Sequence, residues 1–327
     1  MSATAYRTIM SAEPHSREEI AVTTDLIRTP GIIAAALTPF NADRRLDVAA
    51  LEREIDYIVH DCQAAAVSIG AVETAEYTVL SFDERKDLIR RGVAAVRGRA
   101  PVIAGVSHPY LPTVLELTDL AEEAGADAVQ VLAPLRPWGG QPSNAEVIGY
   151  YEEIARHTRL PIVMYINPGP GADLTIPATL EVSRIDQVRY VKESSRDLRR
   201  VGRLIEEVDR AGHARYFTTM EMLLITLMLG GPGATMPPPA VRLAEQLCAA
   251  FAAGDYTRAA EIQRKFSLFP ARWIQYGLTP LMKAAMQHVG VDLGEPAPPY
   301  QGLSLADRAA VTAELDRIGL TRAVAPA

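Results

Sequence analysis

Cysteine is scarce in this chain: two in 327 residues, Cys62 and Cys248, with no close spacing. That excludes a disulfide framework and a cysteine-based zinc site. The six histidines fall in no H-E-x-x-H or similar cluster, so no metal is expected. There is no surplus of positive charge. The net charge of -7 argues against a nucleic acid or an anionic membrane as main partner, because both call for a basic patch. Long apolar runs are missing too. The longest, Met222 to Leu229, is far too short to span a bilayer. The first residues lack a basic-then-apolar pattern, which makes the cytoplasm the expected compartment. No glycine-rich phosphate loop follows the first apolar run, which argues against an open doubly wound sheet. No cofactor is expected.

What is present is apolar residue, at 48 %, and a regular alternation. This is enough to bury one large core. Residues 1–29 are mixed and polar and read as an extension outside the catalytic fold. From Gly31 onward, short apolar runs alternate with stretches of helical spacing. The runs are Ile32 to Leu37, 64–70, Pro101 to Gly105, Ala128 to Leu132, Leu160 to Tyr165, Val188 to Lys192, Arg215 to Thr218 and Gly233 to Thr235. Continuous apolar runs suit parallel strands buried on both faces. Ser81-x-x-Glu84 and Ser143-x-x-Glu146 read as capping boxes that open two of the helices. Eight such units in about 220 residues predict an α/β protein, a closed (β/α)8 TIM barrel over residues 30–240. Helical spacing alone continues over 241–327, which predicts the last barrel helix and a C-terminal helical appendix.

Chemistry in such a barrel gathers where the strands end. Lys192 closes the sixth run. There it faces an apolar mouth, where burial disfavours the ammonium and leaves a nucleophilic amine. The structural alternative is a lysine paired with Glu193 or Glu76. Tyr165 closes the fifth run, where a phenol can shuttle protons or simply plug the barrel. The loop Gly70 to Glu76 is rich in small residues whose N–H groups can hold a carboxylate.

Together these pieces resemble the dihydrodipicolinate synthase/N-acetylneuraminate lyase family, from about Gly31 to residue 320. The resemblance rests on Met164-Tyr165-Ile166-Asn167-Pro168, Tyr190-Val191-Lys192-Glu193-Ser194, the segment Glu76 to Arg85, Ala124 to Ala128, and Leu229 to Ala234. It implies a TIM barrel acting by class I aldolase chemistry on pyruvate or a related 2-oxo acid. The small-molecule substrate would be held by a homo-oligomer, tetramer or dimer. Carried over, Lys192 resembles the Schiff-base lysine and Tyr165 the acid/base tyrosine. Thr74 and Ala75, with Gly233 and Ala234, would hold the carboxylate of the 2-oxo acid.

The chain departs from the family's pattern at three places. Glu73 stands where the synthases have a relay threonine, Arg136 near their relay tyrosine, and Pro170 where they carry a substrate-binding arginine. A role as dihydrodipicolinate synthase proper is therefore not expected. Glu73 and Arg136 are expected either to pair or to divide proton transfer and carboxylate binding between them. Trp138, His108 and Tyr110 are candidates for the second substrate's pocket. The reaction expected is making or breaking a C–C bond beside the imine. A Schiff-base hydro-lyase of a sugar or hydroxy acid, and a metabolite-binding protein without catalysis, remain alternatives.

Overall fold

The computed structural model describes residues 25–72, 77–269 and 275–320. Eight short strands run parallel: β1 Gly31–Ala35, β2 Ala66–Ile69, β3 Val102–Gly105, β4 Ala128–Leu132, β5 Ile162–Ile166, β6 Val188–Glu193, β7 Arg215–Phe217 and β8 Gly233–Met236. They pair in chain order, β1 also pairs with β8, and a bridge from Thr218 to Ala234 closes the ring. The expected TIM barrel is therefore the fold. Its outer helices are α1 Val48–Asp56, α2 Phe82–Val96, α3 Leu111–Ala124, α4 Asn144–His157, α5 Ile176–Ser183, α6 Leu198–Leu204, α7 Leu223–Met228 and α8 Pro238–Ala252. Three more helices follow: α9 Tyr256–Phe266, α10 Leu278–His288 and α11 Leu305–Arg317. None of the described helices is long and apolar enough to cross a membrane.

Both expected capping boxes form. Ser81 accepts from the Glu84 N–H at 3.2 Å, and Glu84 accepts from the Ser81 N–H at 2.8 Å. Ser143 and Glu146 repeat the arrangement. Each box satisfies two N–H groups that a helix start leaves without partners.

Side chains alternate across each strand. One set packs outward against the helices in a large core that includes Ile32, Ala34, Val191 and Ala234. The other set fills the barrel floor with Ile33, Ala66, Ile103, Ala128, Val163, Tyr190 and Phe217. Ile27 is fully buried in that floor layer. The described part of the expected extension, 25–29, therefore helps plug the barrel rather than lying outside it. A chain segment crossing the barrel bottom and burying one isoleucine gains about 2 kcal/mol from area alone.

Gly233 and Gly31 explain how the ring closes. They are register partners, and Gly233 has φ +150°. A Cβ on Gly233 would sit 1.9 Å from the Gly31 carbonyl oxygen. Only glycine lets these two backbones approach so closely.

Candidate active site

Tyr165 and Lys192 are register partners on β5 and β6. Counting in twos from the floor residues Val163 and Tyr190 puts both side chains inside the barrel, one layer above the floor. Lys192 is 1 % exposed and Tyr165 fully buried. The ammonium nitrogen lies 3.7 Å from the centre of the Tyr165 ring. Lys192 Nζ donates to Ser194 Oγ at 3.0 Å. The Tyr165 hydroxyl lies 3.4 Å from the same Ser194 Oγ and accepts from Asn167 Nδ2 at 2.6 Å. Amine and phenol are thus bridged by one hydroxyl.

The electrostatics follow from burial. Desolvation pushes the Lys192 amine well below the usual lysine range, the nearby Arg196 charge pushes the same way, and Glu221 opposes them. Burial raises the Tyr165 phenol, although hydrogen bonds from Ser194 and Asn167 pull it down. An uncharged amine beside a neutral phenol is what nucleophilic attack with proton transfer requires.

Glu193 does not supply the structural pairing allowed for Lys192. It is the next residue along β6, so it points to the outer face, where it pairs with Arg200. Glu76, the other structural partner considered, lies outside the described residues.

A cavity of about 330 Å³ opens at this end of the barrel. Asn167, Ser194, Arg196, Thr219, Glu221 and Thr235 form its polar lining. Thr235 is 6 % exposed, and its hydroxyl has no hydrogen-bond partner among the described residues. A buried hydroxyl left open costs about 1–3 kcal/mol, so it marks a place where a ligand group gains by docking.

The other expected residues are distributed unevenly. Glu73, Thr74 and Ala75 lie outside the described residues. Gly233 and Ala234 do not line the cavity. Gly233 opens β8 beside Gly31, where its lack of a side chain serves barrel closure, and Ala234 packs outward. The residue of β8 that reaches the cavity is Thr235, two past Gly233 and on the same face. Arg136 pairs with Glu146, Nη2 to Oε2 at 2.6 Å, and both side chains are half exposed. It lines a neighbouring cavity of about 360 Å³ together with His108 and Tyr77. Trp138 and Tyr110 are exposed and line neither of these cavities. Pro170 lines both.

Sequence reasoning passed over Ser194, Thr235, Arg196 and Glu221. Period-two alternation beyond Lys192 was signal enough for Ser194. Nothing local marks the other three. The described residues contain no group of three or more His, Cys, Asp or Glu able to hold a metal ion.

Comparison with known proteins agrees with this geometry. The model of the dihydrodipicolinate synthetase family matches residues 28–318. The 4-hydroxy-tetrahydrodipicolinate synthase of Moorella thermoacetica is 30 % identical over 293 residues, 88 % of this chain and 98 % of that protein. A putative dihydrodipicolinate synthetase from Pseudomonas aeruginosa has a solved structure that superposes with a TM-score of 0.81 at 28 % identity, covering 88 % of this chain and 99 % of that one. A prophage protein of the dihydrodipicolinic acid synthase family from E. coli K12, solved in complex with pyruvate, gives a TM-score of 0.81 at 25 % identity, covering 89 % and 98 %.

Proposed function

The chain belongs to the dihydrodipicolinate synthetase family, and from that premise we propose that it is a class I lyase or aldolase that joins Lys192 to pyruvate or a related 2-oxo acid. One observation carries the reading: a fully enclosed amine, 3.0 Å from Ser194 Oγ and 3.7 Å from the Tyr165 ring.

The amine of Lys192 attacks the ketone carbon, and its proton passes to the carbinolamine oxygen through the Ser194 and Tyr165 hydroxyls. Water leaves with a proton from Tyr165, giving the protonated imine. When the bond from the neighbouring carbon to the next one breaks, the hydroxyl on that next carbon gives its proton to the Tyr165 phenolate and becomes the aldehyde carbonyl, and the electron pair moves into the imine to form an enamine. Tyr165 then protonates the neighbouring carbon, and water hydrolyses the resulting imine to release the 2-oxo acid and Lys192. Condensation is the same path in reverse. The Thr235 hydroxyl and the loop with Thr74 and Ala75 hold the substrate carboxylate. Glu73 takes part in proton transfer.

A second step of the proposal is that the reaction differs from that of the synthases. Arg136 is engaged by Glu146, and a proline stands at 170. Neither arrangement offers the synthase relay or its substrate arginine. Assembly as a homo-oligomer, dimer or tetramer, is proposed from the family and is measured by light scattering.

Borohydride reduction in the presence of pyruvate tests the reading. The expected result is a stable mass gain on Lys192. No adduct with any 2-oxo acid would leave a metabolite-binding protein without catalysis. An assay for the synthase reaction of the curated relatives is expected to give no turnover.

A further inference from the structure

Arg196 follows β6 and is the one cation lining the cavity among the described residues. Its guanidinium is held from behind. Nη1 donates to the Ser194 carbonyl at 3.1 Å and Nη2 to Glu221 Oε1 at 3.0 Å. Glu221 is in turn held by the Thr219 hydroxyl, which donates to Oε2 at 2.8 Å. The two members of the pair are not equally presented. The Glu221 side chain is 19 % exposed and that of Arg196 53 %. The carboxylate is the anchor, with both oxygens engaged, and the guanidinium is the group offered to the cavity. A guanidinium carries five N–H donors in one plane, and two are spent on these contacts. The remaining donors match a planar acceptor with two oxygens, which is a carboxylate.

Ser194 sets the reach. Its hydroxyl touches the Lys192 amine and its carbonyl touches the guanidinium. Two hydrogen bonds and the width of one residue separate the reacting nitrogen from the cation, roughly 10 Å at most. A 2-oxo acid of five or six carbons, joined to Lys192 at its second carbon, spans that gap with its far end. The cavity of about 330 Å³ lies at the small end of ligand sites, which suits such a molecule.

We propose that Arg196, anchored by Glu221 and the Ser194 carbonyl, is a specificity residue that binds a carboxylate on the far side of the bond made or broken. The substrates of the condensed form are then 2-oxo dicarboxylic acids, and the second reactant is an aldehyde that carries an acid group. This rests on the Lys192 chemistry proposed above.

The test reads adduct formation, so it needs no knowledge of the natural reaction. The half-saturating concentration for borohydride trapping is measured with pyruvate, with 2-oxoglutarate and 2-oxoadipate, and with the uncharged-tail acids 2-oxopentanoate and 2-oxohexanoate. In the unaltered protein, at least one dicarboxylate is expected to saturate about ten- to a hundredfold lower than its uncharged counterpart. Arg196→Gln is expected to erase that difference, read as the ratio between matched acids within each protein so that any shared change at Lys192 cancels, and Arg196→Lys to restore part of it. Retained pyruvate trapping also shows that each variant is folded. Two results overturn the inference: no preference for dicarboxylates in the unaltered protein, or a preference that survives Arg196→Gln. Failure to trap pyruvate in the unaltered protein would instead bring down the Lys192 chemistry, and this inference with it.

Discussion

Among the described residues two lysines are buried, one in the barrel mouth and one in the helical appendix. Lys192 is 1 % exposed and Lys283, on α10, 3 %. Each side-chain nitrogen sits over an aromatic ring, Tyr165 at 3.7 Å and Phe40 at 4.5 Å. Their polar surroundings differ. Lys192 donates to a hydroxyl beside a cavity. Lys283 donates to the Glu295 carbonyl at 2.9 Å and stands close enough to the buried Glu54 to lower that carboxyl. A carbonyl acceptor favours the charged ammonium, whereas a hydroxyl serves the neutral amine equally well. Burial alone therefore does not make a catalytic lysine; the partner and the open space beside it do.

Replacing each lysine by methionine tests this contrast most sharply. Lys192→Met is expected to abolish the borohydride adduct and cut turnover at least about a thousandfold. It is also expected to raise the melting temperature at pH 7. The folded-state amine is held below its unfolded value, so Lys192 contributes its full stability only above the unfolded pKa and loses it as pH falls through the folded one. The gain from methionine should therefore shrink in melts recorded toward alkaline pH. A melting temperature that drops at pH 7 would contradict the assignment of an uncharged amine.

Tyr165→Phe comes next. Turnover is expected to fall about a hundredfold or more, with the trapped adduct still forming but more slowly. Stopped-flow trapping separates this from loss of binding. An unchanged rate of adduct formation would reduce Tyr165 to a barrel plug.

Lys283→Met should do the opposite of Lys192→Met. Trapping is expected to stay intact, while stability in urea falls by about 1–3 kcal/mol, because the Glu295 carbonyl loses its donor.

The smallest expected effect is pH-dependent. Glu54 accepts from the Leu37 N–H at 2.8 Å and has a second oxygen without a hydrogen-bond partner among the described residues. Burial pushes its carboxyl up to about 8. Its stabilising contribution is complete below the unfolded value near 4.5 and is lost as pH rises through about 8. Glu54→Gln should thus melt nearly with the parent at pH 5 and be more stable at pH 9. The margin is expected to be about 1–2 kcal/mol, since glutamine also gives up the attraction to Lys283. Equal melting temperatures at pH 9 would place the carboxylate in a far more polar setting than its burial implies.

Much of this was legible along the chain. Tyr165 and Lys192 stand at the ends of apolar runs, and a strand's end is a local property. Ser81 and Ser143 cap as their spacing predicts, because a capping box is complete within four residues. The local signal ran out where the answer depended on another strand. Gly233 was expected to help hold a carboxylate; the close approach of Gly31, which requires a glycine there, left no local trace. Residues 25–29 were read as part of an extension, and Ile27 belongs to the buried cluster that fills the barrel floor. Arg196 and Glu221 come from the ends of two different strands, so no spacing announces the pair.

By itself, the order of apolar runs and helical stretches determined that eight parallel strands would close on one another, and that a lysine and a tyrosine would sit at neighbouring strand ends. Period and burial are properties of the local chain, and they suffice for that. Only the closed barrel decided that Ser194 bridges the amine and the phenol, that Thr235 rather than Gly233 reaches the cavity, and that Arg196 faces it with Glu221 behind. Those outcomes depend on the stagger between strands, and stagger is set by how all eight pack around one axis.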